Sequence, residues 1–170
     1  MSRKKLCIGI SQCLTNSIVR YDAKSQFNEK LIDELSLCFE LVTICPEVEC
    51  GLGVPRPAVE LVETDDGVRI MGRDNKMLDV SDELISYSNS KVLSLAHLSG
   101  YVFKAHSPSC GVNSTPIFDS AKNIKRLSNG VFVDALLKQY PVLPVMDDGD
   151  IFKKEKLSDF INAVKKYAQG

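Results

Sequence analysis

Apolar residues along this chain follow two rhythms. The run 5–10 is short and continuously apolar after Lys5, which fits a strand covered on both faces in a parallel sheet better than a half-wet, alternating one. Phe27, Leu31, Leu35 and Cys38 recur every three or four positions, so 26–39 is predicted as an amphipathic helix packed on that sheet. A second buried strand, 41–45, is stopped by Pro46. Pro46, Gly51, Gly53, Pro55 and Pro57 then make 46–58 a loop with a fixed, largely extended path. Strands at 59–63 and 68–71 flank an Asp66-Gly67 turn signal and read as a hairpin. Ser81, with Asp82 and Glu83 behind it, predicts a helix start, and the stripe Leu84, Ile85, Ser88, Val92, Leu95, Ala96 carries that helix to Gly100. Strands at 101–105 and 141–145, a helix at 131–139 and a closing helix with Leu157, Phe160, Ile161, Val164 and Ala168 on one face complete the pattern.

Strands that alternate with helices predict an α/β fold: a parallel sheet of about four strands between helical layers, Rossmann-like, with a small β-hairpin insertion. With 170 residues, 44% of them hydrophobic, 1–170 reads as one domain able to bury roughly 70% of its unfolded surface. Lys plus Arg number 21 and Asp plus Glu 22, for a net charge of −1. Without a basic run, binding of nucleic acid through bulk electrostatics is not expected. The basic start, Met1 to Lys5, is followed by only five apolar residues before Ser11 and Gln12, too few for a signal peptide or a membrane span. The expectation is a cytoplasmic protein.

Six cysteines change the picture, because thiols in a reducing compartment bind metal or do chemistry rather than staple the fold. Cys7 lies inside a strand and Cys38 on a helix face, where cysteine packs as a small hydrophobe. Cys13, Cys45 and Cys110 each fall just past the carboxyl end of a predicted strand. In a parallel sheet those ends open on one edge, where open α/β folds place their ligands. Three thiols cannot pair off, and soft thiolates suit an iron–sulfur cluster or another soft metal. A zinc site fits less well, since the one close pair, Cys45 and Cys50, has four residues between its members. Cys50 is either a fourth ligand or a bystander.

Three separated blocks carry a resemblance. They are Ser11-Gln12-Cys13-Leu14 with Val19-Arg20-Tyr21-Asp22; Cys45-Pro46-Glu47-Val48 with Gly51-Leu52 and Pro55-Arg56-Pro57; and Gly100-Tyr101 with Lys104, Ser107-Pro108-Ser109-Cys110-Gly111 and Ile117-Phe118-Asp119. In this order they resemble the thiouracil desulfidases, long catalogued as a bacterial domain of unknown function. The resemblance implies a 4Fe-4S cluster held by Cys13, Cys45 and Cys110. It also implies non-redox hydrolysis of the C=S bond of a thiouracil, or of 4-thiouridine monophosphate, to the oxygenated base and hydrosulfide, with the substrate sulfur on the one iron that lacks a protein ligand. Where relatives usually carry glycine, this chain has Thr15-Asn16-Ser17 and Ala23-Lys24, changes that bear on substrate choice more than on cluster binding.

Such a reaction needs a base for water, and Glu47 is the carboxylate nearest in sequence to any of the three cysteines. Its alternative role is to hydrogen-bond loop backbone. Ser107 resembles a family serine near the substrate, and equally suits a local turn before Pro108; Ser109 reads as a turn residue. Arg20, Asp22, Arg56 and Lys104 are the candidate substrate-binding groups, with an arginine fork suited to phosphate, although Arg20 and Asp22 can simply pair with each other. His97 and His106 receive no catalytic role, and Gly51-Leu52-Gly53 lacks the third glycine of a phosphate loop. Two rivals belong to other classes. Cys13 and Arg20 evoke the C-x5-R loop of low-molecular-weight phosphatases, but six residues separate them here. A non-catalytic metal or cluster module, used for sensing or sulfur delivery, would share the three cysteines and have no use for Glu47. A small thiolated pyrimidine base or nucleotide is the expected partner; the oligomeric state is not legible.

Overall fold

In the computed structural model, which describes residues 5–15, 20–22, 28–150 and 153–170, two aliphatic strands start the fold. β1 (Leu6–Ser11) and β2 (Phe39–Ile44) pair in parallel from Leu6 opposite Phe39 to Ser11 opposite Ile44. Between them runs α1 (Glu29–Cys38), capped by Asn28, whose side chain accepts from the Leu31 N–H. β5 (Tyr101–Phe103) and β8 (Val145–Asp147) complete a wholly parallel sheet in the order β2-β1-β5-β8.

Alternate side chains on a strand point to opposite faces, which sorts the core into two layers. Ile8, Ile10 and Val102 meet Leu31 and Leu35 of α1 and Leu157, Phe160 and Val164 of α5 (Lys154–Tyr167). On the other face Ile44, Tyr101 and Phe103 meet Val92 of α3 (Ser81–Val92) and Phe132, Val133 and Leu136 of α4 (Val131–Gln139). The Tyr101 and Phe103 rings stack at 4.0 Å between centroids, with Phe132 edge-on to both. Gly9 lies against Tyr101 so closely that a Cβ there would sit 2.2 Å from the ring. The predicted sheet between helical layers is therefore present. Among the described residues no helix is long and apolar enough to cross a membrane.

Several boundaries differ from the sequence reading. The first predicted helix starts later, at Glu29, and Phe39 already belongs to β2; residues 26 and 27 lie outside the described residues, as do the departures at 16–17 and 23–24. Cys45 ends no strand but caps a four-residue helix, α2 (Pro46–Glu49), with proline at its first position, so 46–58 is not wholly extended. α3 stops at Val92, and Ser81 is its first residue rather than its cap; residues 93–99 continue in turns closed by bonds from Leu95 N–H to Val92 C=O and from Leu98 N–H to Leu95 C=O. Because those turns repeat every three residues, they keep Leu95 and Leu98 buried and mimic a helical stripe. The strand predicted at 101–105 is shorter, and the last strand begins at Val145, not at Pro141.

The larger correction concerns the hairpin. β3 (Val59–Thr64) and β4 (Gly67–Gly72) do form one, but around Asp65-Asp66, with Gly67 at φ 106 pairing with Thr64, the pattern of a type I turn followed by a bulge glycine. It is half of a second sheet, ordered β4-β3-β6-β7, in which β6 (Thr115–Phe118) runs parallel to β3 and antiparallel to β7 (Ile124–Ser128). Pro116 argues against a central strand, and Ile124 to Leu127 are exposed; neither segment announces itself by alternation.

Candidate functional site

All four strands of the parallel sheet deliver loops to one edge, and a cavity of about 220 Å³ opens there. Cys13 reaches it from the 3₁₀ turn Gln12–Leu14 after β1, Cys45 from the start of α2, and Cys110 from the loop after β5. Glu47, Ser107, Arg20, Arg56 and Lys104 line the same cavity. Asp22 does not; its carboxylate takes the Arg20 guanidinium at 3.2 and 3.4 Å.

Burial pushes all three thiols up. Cys13 is raised to about 12 by desolvation and then by the charge of Cys45, with Lys104 and Arg20 offsetting only part. Cys110 is raised well above the ordinary thiol value by burial, against a hydrogen bond from Ser11, with Cys13 and Cys45 adding to the rise; burial likewise raises Cys45. Each thiolate thus opposes the others, and a bound cationic centre would reverse the balance. Among the described residues no three of His, Cys, Asp or Glu are arranged to grip one metal ion. The three thiols line one cavity from three separate loops, a set of soft donors of the kind that holds iron–sulfur clusters. Cys50 is absent from the cavity lining; its thiol donates to the Glu47 carbonyl at 3.3 Å and packs with the second sheet. Cys7 and Cys38 pack against the two faces of the main sheet.

Glu47 is 9% exposed, and its carboxylate is gripped from two sides. Oε2 receives Nε and Nη2 of Arg56, both at 2.9 Å, and Oε1 receives the Ser109 hydroxyl at 2.9 Å. The Ser107 hydroxyl oxygen accepts the backbone N–H groups of Ser109 and Cys110, each at 3.2 Å, which shapes the turn that presents Cys110. Lys104 Nζ sits 2.8 Å from Asp148 Oδ2.

The sequence profile of the 2-thiouracil desulfurase family matches residues 8–148. The chain belongs to this family. A solved structure described as a [4Fe-4S]-dependent thiouracil desulfidase, TudS, superposes with a TM-score of 0.68 at 25% identity, covering 92% of this chain and 99% of that one. Among curated proteins nothing matches.

Several residues of this desulfurase's cavity escape sequence reasoning. Ser109, read as a turn residue, is 1% exposed and bonded to Glu47. Arg73, just past β4, and Tyr21 both line the cavity, with the Arg73 guanidinium 5.7 Å and that of Arg20 5.2 Å from the Tyr21 ring centroid. Asp148, at the end of β8, holds Lys104 and also accepts the Ala105 N–H at 2.6 Å. His106 lines the cavity as well, at φ 63, with Nδ1 2.9 Å from the Ser114 carbonyl. The sequence signal for Asp148 was its place after a strand of the parallel sheet. Arg73 and Ser109 had none.

Proposed function

We propose that residues 1–170 form one desulfidase domain that hydrolyses the C=S bond of a thiolated uracil derivative with the help of a 4Fe-4S cluster held by Cys13, Cys45 and Cys110. One observation carries this reading: three thiols from three separate loops, distant in sequence, line the same cavity as the buried Glu47 carboxylate. The donor set fits such a group, since all three ligands are soft sulfurs whose shared burial disfavours bare thiolates. When bound, a cluster with three protein ligands supplies one open iron, a Lewis acid for a soft thiocarbonyl sulfur.

Everything else falls to the chain. Water adds to the ring carbon as Glu47 takes its proton; the C–S bond then breaks, the carbonyl forms, and sulfur leaves as hydrosulfide without any net transfer of electrons. Ser107 has its hydroxyl proton to give to the ring or to the departing group, because its oxygen already accepts two backbone N–H groups. Arg20, oriented by Asp22, and Lys104, oriented by Asp148, line the substrate's side of the cavity. Arg73 brings a further guanidinium to the cavity lining, over the Tyr21 ring, a group suited to the phosphate of a nucleotide substrate.

The deciding experiment is anaerobic purification, iron and sulfide quantification, and a sulfide-release assay over 2-thiouracil, 4-thiouracil and their nucleotides. Glu47→Gln is expected to keep its iron and lose about 10²- to 10⁴-fold in turnover, the usual contribution of a general base. Arg73→Gln is expected to raise KM for the nucleotide alone. A protein that holds about four irons per chain and releases no sulfide from any of these compounds is a sensor or sulfur carrier instead, and that outcome sinks the enzymatic reading.

A further inference from the structure

The aim of the Glu47 side chain cannot come from its own helix. α2 is only four residues long, Pro46–Glu49, and a glutamate near its start has three free side-chain torsions. What holds the carboxylate is a pair of groups on two other loops. Arg56 forks onto Oε2 through Nε and Nη2, and its remaining terminal nitrogen donates to the Gly53 carbonyl at 2.8 Å, while its backbone N–H donates to the Tyr21 carbonyl at 2.9 Å. Arg56 stands in the cavity wall, but its side chain is only 4% exposed and each of its three nitrogens already has a protein partner. Ser109 closes the other side. It is 1% exposed, donates its hydroxyl to Oε1, and immediately precedes Cys110.

We infer that Arg56 and Ser109 are positioning residues for Glu47, so that Arg56 acts through the carboxylate and not on the substrate. The inference rests on Glu47 being the base proposed above. Each grip comes from a loop whose course is independently set: the Ser109 carbonyl accepts the Phe132 N–H at 3.0 Å, at the start of α4. The carboxylate is thereby referenced to the same loop that carries Cys110, which keeps base and sulfur ligand in constant relation. Misplacement of a reacting group by about 1 Å costs on the order of 10²-fold in rate, and loss of either grip frees Glu47 to swing by that much.

The test compares Arg56→Lys, which keeps the charge and loses the fork, with Ser109→Ala, which removes one O–H and leaves the backbone alone, each in the parent and in the Glu47→Gln background. Steady-state kinetics on cluster-loaded enzyme is paired with iron content and calorimetric binding of the desulfurised product. Expected are kcat values lower by about 10- to 100-fold with KM and product affinity within about 2-fold, unchanged iron, and no further loss when either change is added to Glu47→Gln. A raised KM and weakened product binding at full kcat make Arg56 a substrate ligand and overturn the inference. So do losses that multiply in the Glu47→Gln background. If Arg56→Lys does not fold, Ser109→Ala alone decides. If Glu47→Gln is slow while both positioning variants are fast, only this inference fails; if Glu47→Gln turns over at the parent rate, the base assignment fails first.

Discussion

Gly130 caps α4 with φ −70 and ψ 159, a backbone conformation open to any residue, so its glycine is required by contact alone. A Cβ there would lie 2.3 Å from the Ser109 carbonyl carbon and 2.5 Å from the Cys110 nitrogen, against an ordinary contact of 3.4 Å or more, an overlap of about 1 Å with main chain. Neither side gives easily. α4 is anchored by Phe132, Val133 and Leu136, all fully buried, and the Ser109–Cys110 peptide is tied by Ser107 and by the Phe132 N–H. Overpacking of this kind costs about 1–3 kcal/mol, and removing a glycine from the unfolded chain returns about 0.4–1 kcal/mol. With the clash on backbone, the upper part of that range applies, a net loss near 2 kcal/mol. For a chain of this size each kcal/mol shifts Tm by about 2–4 °C, so Gly130→Ala should melt about 4–8 °C lower. Because the displaced peptide carries Cys110, iron per chain should fall as well. Thermal unfolding by circular dichroism under anaerobic conditions, with Leu93→Ala at a 66% exposed position as the control, reads the first effect, and iron analysis the second. A Gly130→Ala protein with the parent's Tm and full iron would refute the claim that this peptide is immobile.

Further outcomes follow from other parts of the fold. Phe132→Ala removes a fully buried ring set against Tyr87, Tyr101 and Phe103 and should cost about 3–5 kcal/mol in urea unfolding. Cys50→Ala should retain the iron of the parent on chemical analysis, since its thiol is directed to the Glu47 carbonyl, whereas Cys13→Ala, Cys45→Ala or Cys110→Ala should each lose most of it. Burial alone would raise the Asp79 carboxyl, but hydrogen bonds from the Ser81 hydroxyl and N–H and from Arg69 hold it below the usual carboxylate range. A depressed folded value means stability present at neutral pH and lost as pH falls to and below that range. Denaturant melts between pH 6 and 3 should therefore show a shallower acid loss for Asp79→Asn than for the parent.

The parallel sheet was legible because its strands are short continuous apolar runs between helical stripes, and that reading alone put Cys13, Cys45 and Cys110 on one edge. Where the pattern misled, a competing structure produced the same spacing: turns after Val92 keep Leu95 and Leu98 inward as a helix would. The second sheet was half hidden, since β6 contains Pro116 and β7 exposes Ile124 and Leu127.

By itself, then, the sequence marked the first three strands of the main sheet, the helices that cover it and the thiols that stand at strand ends, because hydrophobic periodicity is a local property of the chain, while the last strand, Val145–Asp147, fell almost wholly beyond its predicted span. Only the tertiary structure decided that Ser109 reaches Glu47 across 62 positions, that Arg56, at the cavity wall, forks onto the same carboxylate, and that Arg73 arrives at the site from a different sheet. Those contacts depend on how loops from separate elements meet at one edge. No local pattern records that meeting, since a serine in a turn and an arginine after a strand look the same whether they face a buried carboxylate or water.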